Sequence, residues 1–208
     1  MSYDNQQPDP TLIPRYCGIS TFARLHTLDK ANKCDIAIVG IPFDSGVTFR
    51  PGARFGPESI RSSSRLLRQF SINQMKSPFK NKIVADAGDI ACNPFNIHQS
   101  INHITKELNS LMMIANNIVV LGGDHTISYP ILKSINKKFG KVALLHFDSH
   151  FDTWDEYFCE KCTHGTPFKR ALDEDLIDVD HSMHVGIHGT INDYTDITND
   201  EKLGFKTI

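Results

Sequence analysis

Apolar and polar positions alternate with two different periods along this chain. CDIAIVGIPF (34–43), NIVVL within 117–125, and VALL (142–145) are compact apolar runs with the look of buried strands. Shorter strands are predicted at KIVADAGDI (82–90), SMHVGIHG (182–189) and FKTI (205–208). Between them the period lengthens. Ile97, Ile101, Ile104, Leu108, Leu111 and Ala115 step by three and four, one helical face. Ile127, Ile131, Ile135 and Phe139 do the same before Gly140, which is placed to end a helix. Helices are also predicted over 58–70, with Ile60, Leu67 and Phe70 on one face, and over 165–176. Strands that read as continuous apolar runs and alternate with helices predict an α/β fold, a parallel sheet covered on both faces. Residues 1–33 read as a loose or partly helical arm, and 34–208 as the folded domain.

Composition narrows the function. Hydrophobic residues make up 40% of 208, and the formal net charge is −2, with no block of like charge to suggest a nucleic-acid arm or a membrane patch. No apolar run approaches a membrane span. The polar, proline-bearing start lacks a secretory h-region and the Arg/Ser richness of a transit peptide, so a cytoplasmic location is expected. Five scattered cysteines argue against a disulfide framework. Cys159 and Cys162 form a lone C-x-x-C, read as an ordinary loop carrying two thiols.

The candidate chemistry lies where strands end, since ligands of such sheets bind beyond the carboxyl ends of the strands. HFDSHFD (146–152) places Asp148, His150 and Asp152 at alternate positions after an apolar run. In an extended segment these would face one way, and two carboxylates together repel unless a cation lies between them. GGDH (122–125) offers His125 after a glycine turn. Alone, His125 reads as structural; beside Asp148, His150 and Asp152 it reads as a metal ligand. His and Asp donors without Cys suit Mn²⁺ better than structural zinc, and a carboxylate can bridge two ions for metal-assisted hydrolysis. His164, in CTHGTPF, is the candidate general acid or proton shuttle. His146 reads as core packing or an indirect partner, His184 and His188 as structural, and Asp155 and Glu156 as solvated loop acids.

Six stretches in order resemble the ureohydrolase family of arginase and agmatinase, most closely agmatinase: GIPFDSG with RPGARFGPESIR, DAGDI, GGDHTISYP, HFDSHFDTWD, HGTPFKRA and HVGIHG. The resemblance implies a three-layer fold and a binuclear manganese site that activates water to attack a guanidinium carbon and release urea. It implies that His125 and Asp152 hold one ion, His150 the other, that Asp148 bridges them, and that His164 protonates the departing amine. The implied substrate is agmatine, yielding putrescine; guanidinobutyrate is the alternative. Arginine is disfavoured, because CEKCTHGTPF lacks the Asn-bearing loop that arginases use. Family members form trimers or hexamers.

Three departures stand out. Ser149 and His188 replace the family's usual Ala and Arg; Ser149 is expected to point away from its neighbours. The family's later Ser-x-Asp-x-Asp-x-x-Asp-Pro motif, which supplies two more carboxylate ligands, is not among these 208 residues. The family inserts its last two strands between those carrying GGDH and DSHFD. These 208 residues on their own are therefore expected to lack the C-terminal strands and to be neither stable nor active. A non-catalytic truncated relative is the competing reading. A metal-free module with a His/Asp hydrogen-bond network is disfavoured by the facing carboxylates.

Overall fold

A computed structural model of the chain describes residues 7–30 and 33–208. The chain divides into two compact units: residues 1–44, 51–92 and 107–123 form one, and 45–50, 93–106 and 124–208 the other.

In the first unit, β1 (Cys34–Ile41) is the central strand of a three-stranded sheet, flanked by β2 (Val84–Asp89) and β3 (Ala115–Gly122). Both pairings are parallel, running from Ile36 opposite Val84 and from Cys34 opposite Ala115. A strand paired on both edges and covered on both faces needs the uninterrupted apolar run seen at 36–41. Ile38 packs with Ala23, Leu25, Val84 and Leu121. At Gly40 a Cβ would sit 1.8 Å from Asp89 Oδ1 and would have to displace that carboxylate.

Helix α1 (Gly56–Ser64) is shorter than the spacing predicted and turns a different face inward. Pro57, Arg61 and Ser64 are buried, whereas Ile60 is exposed and Leu67 and Phe70 lie beyond the helix, also exposed. A polar requirement overrides hydrophobic spacing. The Arg61 guanidinium donates to Asp86 through Nε (2.9 Å) and Nη2 (3.0 Å), to Asp89 Oδ1 through Nη1 (2.5 Å), and to the Gly88 carbonyl (2.8 Å). This network joins the ESIR and DAGDI stretches. In the amino-terminal segment, short 3₁₀ turns occupy Phe22–Arg24 and Leu28–Lys30, and Ala23, Arg24 and Leu25 are buried. The remaining arm residues 1–6 and 31–32 lie outside the described residues.

The second unit carries a parallel sheet in the order β4 (Leu145–Phe147), β5 (Met183–Val185), β6 (Lys206–Thr207). Its helices are α3 (Ser128–Phe139), α4 (Pro167–Asp173) and α5 (Tyr194–Leu203). The predicted helix over 94–116 is α2 (Ile97–Leu111); Ala115 instead starts β3. Ile101, Tyr129, Leu132, Phe168, Ala171, Leu176, Ile177 and Phe205 form this unit's core. Helix α3 therefore buries Tyr129 and Leu132, and Phe139 at its end is exposed. Strand β4 is only three residues long: His146 is buried, while Leu145 and Phe147 are exposed. The run VALLHF thus yields a short, half-covered strand at 145–147 rather than one buried on both faces. Every pairing between named strands is parallel, and among the described residues no helix is long and apolar enough to cross a membrane.

Candidate metal centre

The site lies within the second unit. Asp124 builds its first wall. One carboxylate oxygen accepts from Thr126 N (2.7 Å), capping the 3₁₀ turn His125–Ile127, and the other accepts from Gly46 N (2.9 Å). Burial pushes the Asp124 carboxyl up, against these hydrogen bonds that pull it down. With the turn fixed, the His125 ring stacks on His146 (centroids 5.3 Å) and meets the edge of Phe168 (5.2 Å). Its Nδ1 lies 2.7 Å from Asp152 Oδ2.

The second wall is HFDSHFD, and it is not extended throughout. The strand ends at Phe147. Asp148 Oδ1 then accepts from the His150 backbone N–H (2.9 Å), which bends the chain, and Asp152 adopts a left-handed conformation (φ 56°). A non-glycine residue there costs about 1–2 kcal/mol, so the packing around Asp152 holds it in place. This bend changes which side chains converge. His125, His146, Asp148 and Asp152 bring one ligand atom each to within 4.8 Å of one another. His150 stands apart from that group, its side chain 62% exposed, with Nδ1 3.2 Å from Asp148 Oδ1. Alternation holds from His146 on the strand to Asp148 just past its end, and fails at 150. Counting back two residues from Asp148 would have found His146.

Ser149 also departs from expectation. It does not point away: its Oγ lies 3.1 Å from His150 Nδ1 and 3.5 Å from Asp148 Oδ1. The same bend is closed by Gly189, whose N–H donates to the Ser149 carbonyl (2.8 Å) and where a Cβ would meet the His150 ring at 2.8 Å.

Electrostatics match a cation site. Burial first, then the neighbouring His125 and His184 rings, push the His146 imidazole down to about 4. For Asp148, burial pushes the carboxyl up, but the His150 backbone N–H and the His146 and His125 rings outweigh it, and the group titrates below its ordinary value. Two facing carboxylates with imidazoles around them suit a divalent ion. His146 Nε2 is buried without a hydrogen-bond partner; the nearest carboxylate oxygens, of Asp148 and Asp152, are at 3.5 and 3.9 Å. An unpaired buried nitrogen beside two carboxylates fits a candidate cation site.

His164 lines a cavity of about 220 Å³ together with His150, Asp152, Trp154, Tyr157 and Asp196. Its Nε2 lies 3.1 Å from Thr48 Oγ1, and its backbone N–H donates to Gly46 O (3.2 Å), which fixes the ring at the wall. Trp154 stacks on Tyr157 (4.9 Å) and donates from Nε1 to Asp196 (3.1 Å). Asp155 pairs with Arg170, and His184 is buried beside His146, their ring centroids 5.0 Å apart. Cys159 and Cys162 are free thiols in a loop.

A family model described as the arginase family matches residues 34–208. The chain is 40% identical over 199 residues to a guanidinobutyrase of Pseudomonas aeruginosa, covering 94% of this chain and 62% of that one. It is 39% identical over 186 residues to a mitochondrial agmatinase of Gallus gallus, covering 89% and 55%. Among solved structures it resembles proclavaminate amidinohydrolase from Streptomyces clavuligerus, with a TM-score of 0.86 and 33% identity, covering 94% of this chain and 64% of that one. The chain thus spans about 60% of the length of these relatives.

Proposed function

The chain belongs to the arginase family, and on that premise we propose that it contributes the manganese-binding and proton-transfer half of a hydrolase that cleaves agmatine to putrescine and urea. The observation that carries this reading is the convergence of His125, Asp148 and Asp152 beside a cavity walled by His164. His125 and Asp152 are proposed to hold one ion, His150 a second, and Asp148 both. Manganese there would supply Lewis acidity and lower the pKa of a water. The protein's own groups do the rest. Asp148 and Asp152 provide the negative charge that retains the cations. Trp154 and Tyr157 present apolar faces to a methylene chain. His164, held by Thr48, gives a proton to the amine nitrogen as its bond to the guanidinium carbon breaks.

Agmatine is favoured over 4-guanidinobutyrate by charge. Apart from the proposed ligand Asp152, the cavity wall contains the carboxylate of Asp196 and no Lys or Arg among the described residues. An ammonium tail is attracted there, and a carboxylate tail is repelled. The similarity to a guanidinobutyrase supports the carboxylate substrate as a second reading.

The test is Mn²⁺-dependent urea release from each substrate. It is measured on this chain and on a version lengthened past Ile208 with the corresponding residues of a relative. The proposal expects Mn²⁺ uptake by both and urea from agmatine by the lengthened chain, abolished by Asp152→Asn. Urea from 4-guanidinobutyrate alone would transfer the function to the second reading. No Mn²⁺ uptake by either would favour a non-catalytic relative.

A further inference from the structure

Asp196 is the cavity's carboxylate outside the proposed ligand set. It lies in the first turn of α5, which Asp193 caps by accepting from Thr195 N (2.6 Å). Asp196 is half-buried and lines the same cavity as Asp152 and His164. A donor on each oxygen fixes its orientation: Trp154 Nε1 donates to Oδ1 (3.1 Å) and Asn192 N to Oδ2 (2.9 Å). Both donors are neutral. No ion pair forms at Asp196 among the described residues, whereas Asp155 and Asp173 are paired with Lys169 and Arg170. The Trp154 indole is wedged in place. Its ring stacks on Tyr157 at 27° (centroids 4.9 Å), and a Cβ at Gly165 would sit 3.1 Å from its Cε3. The Trp154 backbone N–H also donates to the Gly165 carbonyl (3.2 Å).

The donor inventory says what such a group can take. A carboxylate offers about four lone-pair sites, and the protein occupies one on each Asp196 oxygen. Acceptor capacity and an uncompensated charge are left over. An ammonium brings three donors and no acceptor, and its hydrogen bonds to a carboxylate are charge-assisted. A carboxylate tail brings only acceptors and meets like charge. An alkyl tail brings neither and gains nothing from Asp196. Discrimination among tails is then a difference between an attraction and a repulsion at one side chain.

We propose that Asp196 is the specificity-determining residue of this cavity, selecting guanidino compounds whose far end is an ammonium, and that Trp154 is the positioning residue that aims its carboxylate. This rests on the reading of the cavity as the guanidino-substrate site and assigns the group that recognises the tail.

Trp154 is the sole tryptophan of the chain and lines this cavity, so its emission reports occupancy. The native chain is titrated in chelator, where nothing is hydrolysed, with agmatine, 1-butylguanidine and 4-guanidinobutyrate. These share the guanidinium end, which cancels in their affinity ratios, and differ in the tail. The proposal expects agmatine to bind about 10–100-fold more tightly than 1-butylguanidine, as a hydrogen bond to a charged group provides, and 4-guanidinobutyrate to bind most weakly. Equal affinity for agmatine and 1-butylguanidine, or no change in emission with agmatine, overturns it without any variant. Asp196→Asn, its fold checked by circular dichroism, should bring agmatine down to the level of 1-butylguanidine and leave 1-butylguanidine unchanged. A preference that survives this substitution, or an equal loss of all three compounds, overturns the proposal. Trp154→Phe keeps a ring against Tyr157 and removes the N–H. Measured by calorimetry, it should narrow the preference for agmatine and spare 1-butylguanidine; equal weakening of both overturns the role given to Trp154. Absence of urea release by the lengthened chain would refute the hydrolase reading, and the tail preference would still stand or fall on these titrations.

Discussion

Arg61→Met isolates the buried charge network of the first unit. Arg61 and Asp86 have side chains 7% and 2% exposed, whereas Asp89 is 44% exposed. Removing the guanidinium strands Asp86 as a buried anion and leaves Asp89 to water. Breaking one side of a buried ion pair costs about 3–5 kcal/mol. Asp86 keeps two backbone donors, Phe22 N (2.6 Å) and Gly88 N (2.9 Å), which hold the expected loss near the lower end, about 3 kcal/mol. With a urea slope of about 2 kcal/mol per molar, the midpoint falls by about 1.5 M. The assay is urea unfolding followed by circular dichroism, because the sole tryptophan, Trp154, lies in the other unit. The double variant Arg61→Met/Asp86→Asn removes the stranded charge and keeps an acceptor for one of the two backbone donors, which reach different oxygens, so it should recover part of the loss. A single-variant loss below about 1 kcal/mol, in the range of an exposed pair, would refute the reasoning. So would a double variant less stable than Arg61→Met.

Three further outcomes follow from local geometry. The Arg54 guanidinium, hydrogen-bonded to Asp44, holds that carboxyl below its ordinary value of 3.8 despite burial. A depressed carboxyl stabilises the fold above its unfolded pKa and loses that contribution as pH falls through the lower folded value, so Arg54→Gln should raise the midpoint of acid unfolding, and an unchanged midpoint would contradict the pairing. Burial raises the Cys34 and Cys162 thiols, while Cys17 and Cys159 are exposed; iodoacetamide at neutral pH should label 17 and 159 well before 34 and 162, as peptide mass mapping will show. Gly189→Ala places a methyl 2.8 Å from the His150 ring and the Ser149 carbonyl; the crowding should cost about 1–3 kcal/mol in thermal unfolding, and a neutral effect would mean that the bend at 148–150 yields freely.

The sequence was informative wherever a single physical demand acted. The apolar run of β1 had to be a central buried strand, and the α/β alternation followed from it. The spacing of α2 was legible because one face carried all its large apolar residues. Helix α1 was misread because its inward face is polar: Arg61 and Ser64 are buried for hydrogen bonding, which hydrophobic spacing does not reveal. The candidate site was legible as residue types and only partly as geometry. His125, Asp148 and Asp152 converge as their spacing implied. His150 diverges because the backbone leaves the extended conformation after Phe147, a bend that depends on the Asp148 carboxylate and on Gly189 from a distant loop. His146 joins the ligand atoms for the reason first applied to His150, alternation along a strand. The Trp154–Asp196 contact had no local signal, since its members are 42 residues apart in sequence.

The most direct test of the metal centre is Mn²⁺ binding at equilibrium by the native chain, compared with Asp148→Asn and Asp152→Asn. Saturable uptake that either substitution abolishes, with circular dichroism unchanged, is the predicted result. Absence of uptake by the native chain, or uptake that survives both substitutions, would contradict the account.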